Sequence, residues 1–352
     1  MPAYLNSASH GPPSERTLQR IRSHIDLERD VGPAAAFERV RDEYHQVRCN
    51  AASLVGAVPN DVGFAPTTSA AWLPLVVRFR LSGKRLLVAP HEWGDNVRAL
   101  EAIAANTGAV IEVLPELDFA APDLQSWEDR IGDDVAAIFV PMVSSVSGLR
   151  YPVEDIGRLP RPDPCRFVVD AAQALGQTPI DVSQLSCDAL VATCRKWLRG
   201  PRGTALFWTN PELGDALAAS ELEPYDANVS LRLGVGNAIS EALDAGVGEL
   251  EKEIRTLRDH TYRQVTGLGF DGQTDSPPMT GAICIGLPRR LAARAGEHLA
   301  NRGVVVKFPD ARRDEPCART GAADLVPMRI SPSYFNTERE ISELVSCLSD
   351  LV

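Results

Sequence analysis

Residues 167–203 decide the fold, and they read FVVDAAQALGQTPIDVSQLSCDALVATCRKWLRGPRG. Asp170 ends one short run that is apolar on both faces, and Lys196 closely follows a second such run. Runs of this kind are typical of strands buried in a parallel sheet, and ligands bind where the carboxyl ends of such strands meet. A carboxylate and an amine at that edge can serve one bound ring. The carboxylate would keep a pyridine nitrogen protonated, and the amine would form an imine with an aldehyde.

The same pattern extends outward from this stretch, since short apolar runs alternate with amphipathic ones between residues 61 and 209. Two helices are predicted ahead of it, within residues 14–55, with a break near Gly32-Pro33. Alternation of this kind predicts an α/β fold in which helices cover a mostly parallel sheet. The predicted strands are the runs 84–89, 109–114, 136–140, 166–169, 188–192 and 203–208.

The pattern changes after residue 245 and predicts a smaller α+β unit. A long polar helix is expected at residues 248–267, and a closing helix at 337–351 should begin with a capping box formed by Thr337 and Glu340. We therefore predict a large α/β domain at residues 14–245 and a small domain made of residues 1–13 plus 246–352. Further elements are predicted at 282–287, 291–302, 304–308 and 328–331.

The composition excludes several classes of protein. Hydrophobic residues make up 44% of the chain and charged residues 24%, which excludes disorder over most of its length. The net charge of -11 disfavours nucleic-acid partners, because phosphate contacts need clustered Lys and Arg. No apolar run approaches the roughly 20 residues that span a bilayer, and no signal core is visible at the N-terminus. We therefore expect a cytoplasmic protein with no membrane partner.

Cysteine and histidine usage argues against a metal site. The 7 cysteines are odd in number and form no CxxC pair, and the 6 histidines form neither HxH nor HExxH. A disulfide framework and a structural zinc site are therefore disfavoured, and we expect no metal.

Spaced motifs follow one another in a fixed order along the chain. They are Asp170-Ala171-Ala172-Gln173, Pro179-Ile180-Asp181-Val182, Cys187-Asp188 and Arg195-Lys196-Trp197-Leu198-Arg199-Gly200-Pro201-Arg202-Gly203. Together they resemble the class V aminotransferase family of fold-type I pyridoxal-phosphate enzymes, and the resemblance runs from about Leu5 to the C-terminus. It implies a mostly parallel seven-stranded sheet sandwiched by helices, a smaller α+β C-terminal domain, and an N-terminal loop folding over the active site. It also implies a homodimer with a shared active site.

The resemblance implies a role for several residues around the ring of pyridoxal 5'-phosphate. Lys196 would form the imine with the cofactor aldehyde, and Asp170 would pair with the pyridine nitrogen. Gln173 would donate a hydrogen bond to the phenolic oxygen. Trp93 would stack on the pyridine, and His91 is the competing choice if the register is shifted by two positions.

The phosphate is expected at a helix N-terminus, where free amides and hydroxyls suit a dianion. Thr68 and Ser69 are favoured for this role over Thr67. By the resemblance, Thr193 and Arg195 also reach the phosphate.

Other motifs imply contacts to the substrate and the partner subunit. Arg329 would bind the substrate α-carboxylate in a bidentate pair, and Ser9 and His10 on the N-terminal loop would touch substrate. Ser145 would face the cofactor oxygen. Residues 234–237 align with a motif that, in relatives, reaches the phosphate of the neighbouring chain.

The resemblance leaves the reaction open. β-Elimination from a cysteine or cysteine-sulfoxide derivative would release a sulfur leaving group, pyruvate and ammonia. A cysteine desulfurase or selenocysteine lyase would instead use Cys317 as nucleophile, with nearby arginines lowering its pKa. Transamination and epimerisation begin with the same proton removal. A non-catalytic binding protein is disfavoured, because Lys196, Asp170 and Arg329 occur together. The arginines near Cys317 are Arg312, Arg313 and Arg319.

Overall fold

A computed structural model describes residues 2–79, 81, 83–163, 165–213, 219–223, 226–272, 280–318 and 324–351. Its strands are β1 Ala3–Tyr4, β2 Val62–Ala65, β3 Arg85–Val88, β4 Val110–Val113, β5 Val135–Pro141, β6 Arg166–Asp170, β7 Ala189–Thr193, β8 Ala205–Thr209, β9 Asp271–Gly272, β10 Ile283–Pro288, β11 Val304–Val305 and β12 Leu325–Ile330. Its α-helices are α1 Glu15–Val31, α2 Pro33–Val55, α3 Thr68–Val76, α4 Gly94–Thr107, α5 Gln125–Glu128, α6 Val153–Gly157, α7 Val182–Leu185, α8 Ala219–Leu222, α9 Val229–Ala245, α10 Val247–Thr266, α11 Arg289–Asn301, α12 Ala311–Asp314 and α13 Glu338–Ser349.

Within the described part of the chain, the central sheet has seven strands in the order β2-β8-β7-β6-β5-β3-β4. Its pairs are parallel except those of β8, which runs antiparallel to both β2 and β7. The predicted mostly parallel seven-stranded sheet is therefore confirmed. The pattern missed β2, a four-residue strand whose Gly63 lies against the Phe207 ring, because so short a run carries little periodicity.

The central sheet buries apolar side chains on both faces. Along β6, Val168 contributes to one core and Val169 to the other, as the alternation of side chains along a strand requires. The inner strands β5 to β8 are buried on both faces and read as continuous apolar runs, the feature that predicts them from the sequence, whereas the edge strand β4 is partly exposed.

A separate core joins the two ends of the chain. Ala3 and Leu5 pack with residues of α10, α11, α13 and the sheet β12-β10-β9. Strand β1 pairs in parallel with β11, so the N-terminus is part of the C-terminal unit. This grouping supports the domain boundaries of 14–245 and of 1–13 plus 246–352, which we retain as a proposal.

Several local predictions are borne out. Gly32 separates α1 from α2 with φ at 81°, a region that favours glycine, and Pro33 opens α2. The capping box of Thr337 and Glu340 is present at the start of α13. No described helix has both the length and the apolar character needed to cross a membrane.

The predicted contact of residues 234–237 with the phosphate of a neighbouring chain stays a prediction. This segment is an internal turn of α9, and a Cβ at Gly234 would lie 2.6 Å from an Ile21 side-chain atom. A Cβ at Gly236 would lie 2.4 Å from Val47. The two glycines let α9 approach α1 and α2 closely, so this turn packs within its own chain.

Candidate active site

A cleft of about 390 Å³ lies at the carboxyl edge of the central sheet. Parallel strands β2, β5, β6 and β7 all end here, so the topology brings together segments that are distant in sequence. Predicted site residues that line it are Thr68, Ser69, Trp93, Ser145, Asp170, Gln173, Thr193, Arg195 and Lys196. Ser9, His10 and Arg329 are not among the residues lining it.

Lys196 is 8% exposed and lies just beyond the end of β7. Burial is the largest influence on its amine and, together with the positive charge of Arg195, lowers the pKa to about 7, although Asp170 opposes the shift. Much of the amine is therefore neutral near pH 7, which is the form that attacks an aldehyde or accepts a proton.

Asp170 ends β6, and the buried carboxylate is held at both oxygens. The amide of Ala172 donates to Oδ1 at 2.8 Å, and the side-chain amide of Asn96 donates to Oδ2 at 2.9 Å. Burial raises the pKa of Asp170, whereas these two donors and the charge of Lys196 oppose that rise. The net shift is upward, and the two donors with Lys196 are the groups that favour the charged carboxylate a protonated pyridine nitrogen needs.

Asn96 is a site residue that sequence reasoning missed. Its Nδ2 also donates to Oε1 of Glu92 at 2.8 Å, so one amide joins two buried carboxyl groups. Burial and the neighbouring charge of Asp170 raise the pKa of Glu92 to about 8. Glu92 also accepts from the backbone amide of Trp93 at 3.0 Å, and in this way the network links Trp93 to Asp170. The only signal in the sequence was the position of Asn96, three residues after Trp93 on the same helix.

The geometry favours Trp93 over His91 as the stacking residue. The Lys196 Nζ lies 5.9 Å from the centroid of the Trp93 ring. His91 also lines the cleft, but its Nδ1 lies 2.7 Å from the Tyr151 hydroxyl. Its ring contacts Phe119 and Tyr151, with centroids 6.0 and 5.8 Å away.

The N-terminus of α3 opens into the same cleft. Thr67 is the N-cap, and its hydroxyl accepts from the Ala70 amide at 3.0 Å. Thr68 and Ser69 form the first turn, where backbone amides lack carbonyl partners inside the helix. The hydroxyl of Thr67 is thus engaged in capping, which supports the preference for Thr68 and Ser69 at the phosphate.

Two cations stand near this helix terminus. Burial, and then the charge of Arg202, lowers the pKa of Arg195. Within the described residues, no carboxylate forms an ion pair with Arg195 or Arg202, and Arg195 donates to the Ser9 carbonyl. Arg202, which also lines the cleft, is a further residue that sequence reasoning did not assign.

Gln173, the remaining residue predicted to contact the cofactor ring, makes two side-chain hydrogen bonds within the chain. Its amide nitrogen donates to the Ala8 carbonyl at 3.0 Å, and its oxygen accepts from the Trp197 indole at 3.0 Å. These bonds lock the side chain at the cleft wall and leave one amide hydrogen for a ligand. Its contact to the phenolic oxygen stays a prediction.

Arg329 lies behind the cleft, 4% exposed. It donates to the Ser145 carbonyl and, at 2.6 Å, to Ser9 Oγ, while its Nε is buried without a partner in the described structure. Burial lowers its pKa to about 10. A buried guanidinium without a carboxylate partner suits a substrate carboxylate.

The N-terminal loop holds Ser9 and His10 over these groups. The Gly11 amide donates to the Arg195 carbonyl at 2.8 Å, and a Cβ at Gly11 would lie 2.2 Å from the Lys196 carbonyl oxygen. Burial and the charges of Arg195 and Arg202 lower the pKa of His10. Substrate contacts by Ser9 and His10 stay predictions.

Ser145 differs from its predicted environment. Its hydroxyl donates to Oε1 of Glu315 at 3.0 Å, and its backbone amide donates to the same oxygen at 2.6 Å. Ser144 adds a hydroxyl contact at 2.9 Å. A buried carboxylate from the segment after α12 therefore occupies the turn after β5, and it takes up the hydroxyl that was expected to face the cofactor.

Cys317 lies in that same segment, two residues beyond Glu315. It packs at the edge of the core that contains Trp72, and burial together with the charges of Glu92 and Glu101 raises its pKa. The expectation that arginines lower this pKa is wrong for Arg312 and Arg313, because acidic side chains are the charges that act on the thiol. Arg319 lies outside the described residues.

The residues of the cleft fit pyridoxal phosphate. One end of the cleft is lined by a buried carboxylate, a lysine of lowered pKa and an indole. The other end suits a dianion, because it has a helix N-terminus and two arginines that form no ion pair with the described carboxylates. The three groups Lys196, Asp170 and Trp93 would hold the ring.

Comparisons with known proteins agree with this arrangement. The family described as aminotransferase class-V matches residues 15–224. YcbU of Bacillus subtilis (strain 168), an uncharacterized aminotransferase, is 30% identical over 325 residues, covering 84% of this chain and 80% of that protein. A probable hercynylcysteine sulfoxide lyase of Mycobacterium tuberculosis (strain CDC 1551 / Oshkosh) is 27% identical over 271 residues, covering 73% of this chain and 67% of that protein.

The fold comparison points the same way. The structure of the cystine C-S lyase C-DES with its product cysteine persulfide aligns with a TM-score of 0.87 at 19% identity, covering 99% of this chain and 97% of that one. The sheet topology, the paired Asp170 and Lys196 and the family match agree, and we conclude that the chain belongs to the class V aminotransferase family and is a pyridoxal-phosphate enzyme of fold type I.

Proposed function

We propose that this enzyme is a carbon–sulfur lyase that eliminates a sulfur leaving group from a cysteine or cysteine-sulfoxide derivative and releases pyruvate and ammonia. The observation that carries the proposal is the environment of Cys317, whose thiol is half-buried and has a raised pKa. A thiolate is needed to attack substrate sulfur, and burial with the charges of Glu92 and Glu101 disfavours the thiolate of Cys317. The names of two similar proteins, a probable hercynylcysteine sulfoxide lyase and a cystine C-S lyase, support the same reaction class.

The residues divide the work of this reaction. When bound, pyridoxal phosphate stabilises negative charge at the substrate Cα. Arg329 would bind the substrate α-carboxylate, and Asp170 would hold the proton on the ring nitrogen. Lys196 would take the Cα proton at its Nζ, since the lowered pKa keeps this amine a usable base near pH 7.

Two contacts hold neighbouring segments of the chain against the site. The N-terminal loop packs its Gly11 against the Lys196 backbone, and Glu315 ties the segment after α12 to the turn after β5. Both contacts close the cleft from the side of the small unit, and reacting groups in such a site interact more strongly than in water.

The deciding experiment replaces one thiol and measures products. A lyase needs no protein thiol, so Cys317→Ser should leave pyruvate release from S-methyl-L-cysteine close to wild type. Cys49→Ser, in another partly exposed cysteine, is the matched control. Alanine as product, sulfide release from cysteine and a persulfide on Cys317 would instead establish desulfuration. A keto acid formed with retention of sulfur would indicate transamination, and racemised substrate would indicate epimerisation.

We also propose that the enzyme is a cytoplasmic homodimer with a shared active site. The family resemblance supports the dimer, although residues 234–237 lie in the interior of α9, where three of the four are buried in their own chain. Light scattering tests the assembly: a fully active species with the mass of one 38.1 kDa chain would contradict the dimer.

A further inference from the structure

His91 is a titratable side chain in the catalytic cleft to which the proposed reaction assigns no role. It lies between the end of β3 and the start of α4, and it lines the same space as Lys196 and Trp93. β-Elimination has an unfilled role, because the sulfur that departs as a thiolate is a better leaving group when it receives a proton. Lys196 cannot fill this role while it takes the Cα proton.

The His91 ring is held in one orientation. Its Nδ1 lies 2.7 Å from the hydroxyl of Tyr151, a side chain that is 1% exposed. Tyr151 is itself packed on Phe119 and Trp127, with ring centroids 5.0 and 6.0 Å away. The opposite nitrogen, Nε2, has no hydrogen-bond partner among the described residues, and it remains available on the cleft side. Fixing one ring nitrogen is how proteins determine what the other one does.

A buried acidic group lies near His91. Glu315 is 3% exposed, and its carboxylate is bound by the Ser144 and Ser145 hydroxyls. After burial, the charge of His91 is the largest influence on the pKa of Glu315, and it lowers that pKa, so the two groups lie within electrostatic range.

We propose that His91 is a catalytic residue that protonates the departing sulfur through its Nε2. The inference rests on the proposed lyase function. In the step, the Cα–H bond breaks as Lys196 Nζ gains the proton, and the Cα–H electron pair forms the Cα=Cβ double bond. The Cβ–S bond breaks with its electron pair passing to sulfur, and the Nε2–H bond breaks as sulfur gains that proton. The leaving group departs as a neutral thiol, and His91 is left neutral with its Nδ1 hydrogen-bonded to Tyr151.

The test compares two leaving groups in one enzyme. S-methyl-L-cysteine loses a basic thiolate, whereas β-chloro-L-alanine loses chloride, which needs no proton. For His91→Gln, the kcat for S-methyl-L-cysteine should fall by about 10²-fold or more, while elimination from β-chloro-L-alanine should change little. His45→Gln, in an exposed histidine of α2, is the matched control and should affect neither substrate.

A second variant guards against a merely structural effect. Tyr151→Phe keeps the ring packing but removes the hydroxyl on Nδ1, and it should cause a smaller loss confined to S-methyl-L-cysteine. Cofactor absorbance should show that both variants load normally. Equal losses on the two substrates, or full activity of His91→Gln on both, would overturn the inference while leaving the lyase proposal standing. A wild-type enzyme that releases no pyruvate from S-methyl-L-cysteine would overturn the lyase proposal and the inference with it.

Discussion

At the residue scale, a single side-chain amide organises the charged end of the cleft. Asn96 Nδ2 is shared between Asp170 and Glu92, at 2.9 and 2.8 Å. Two carboxyl groups buried this close together cannot both ionise cheaply, and the pKa of each is raised, chiefly by burial. The Asn96 hydrogen bond opposes the rise in both pKa values, and at Asp170 it supports the charged form that the pyridine nitrogen requires.

We expect Asn96→Ala to lower kcat by about ten- to a hundredfold, because a hydrogen bond to a charged group contributes roughly 1.5–3 kcal/mol. The KM for the substrate and the amount of bound cofactor should change little, since the substrate carboxylate and the phosphate are bound elsewhere. Steady-state kinetics and cofactor absorbance measure both quantities. Asn106→Ala, at an exposed position of α4, is the control, and a near-normal kcat for Asn96→Ala would remove this positioning role.

At the scale of elements, the N-terminal loop is tied to the catalytic strand end by contact between backbones. Gly11 approaches the Lys196 carbonyl so closely that no side chain fits between them. The same loop carries Ser9, whose hydroxyl accepts from Arg329. We therefore expect a substitution at Gly11 to disturb the substrate carboxylate site and to leave the central sheet unchanged.

Gly11→Ala should displace this loop, raise the substrate KM and lower the free energy of unfolding by roughly 1–3 kcal/mol, the usual cost of overpacking. Substrate titration and chemical denaturation measure the two effects. Gly248→Ala, on α10 where a Cβ meets nothing within 4 Å, is the matched control and should be neutral or slightly stabilising. An unchanged KM for Gly11→Ala would show that the loop does not order the carboxylate site.

At the scale of the whole molecule, buried ionisable groups make folding stability depend on pH. The pKa of Glu92 is raised from 4.5 to about 8 by burial and by Asp170. The folded protein therefore holds a proton that the unfolded chain releases. Its contribution to stability is complete below about pH 4.5 and is lost progressively as the pH rises through 8.

Glu92→Gln should remove this dependence, because glutamine keeps the oxygen that accepts from Asn96 but does not titrate. The stability of the variant relative to wild type should increase by on the order of a few kcal/mol between pH 5 and pH 9. Chemical denaturation of the holoenzyme across this range measures the difference. Glu101→Gln, exposed on α4, is the control, and a difference independent of pH would contradict the assignment.

The sequence by itself determined the sheet, the place of Asp170 and Lys196 at its carboxyl edge, and the break between α1 and α2. These features follow from local signals, since a strand buried on both faces is a continuous apolar run and a Gly-Pro pair interrupts a helix. The order of the spaced motifs also indicated the class V aminotransferase family and its cofactor, pyridoxal phosphate. Strand β2 was not predicted, because its four residues are too few to show a hydrophobic periodicity.

The tertiary structure decided the partners of the catalytic groups. Three hydrogen bonds join segments that are distant in sequence and meet only in the folded chain. They link Asn96 to Asp170, Glu315 to Ser145 and Tyr151 to His91. It also placed residues 234–237 inside α9, and it set the pKa of Cys317 by burial and by Glu92 and Glu101, where the sequence showed only neighbouring arginines. The physical reason is that desolvation and charge act through space at a few ångströms, and sequence patterns report only what is adjacent along the chain.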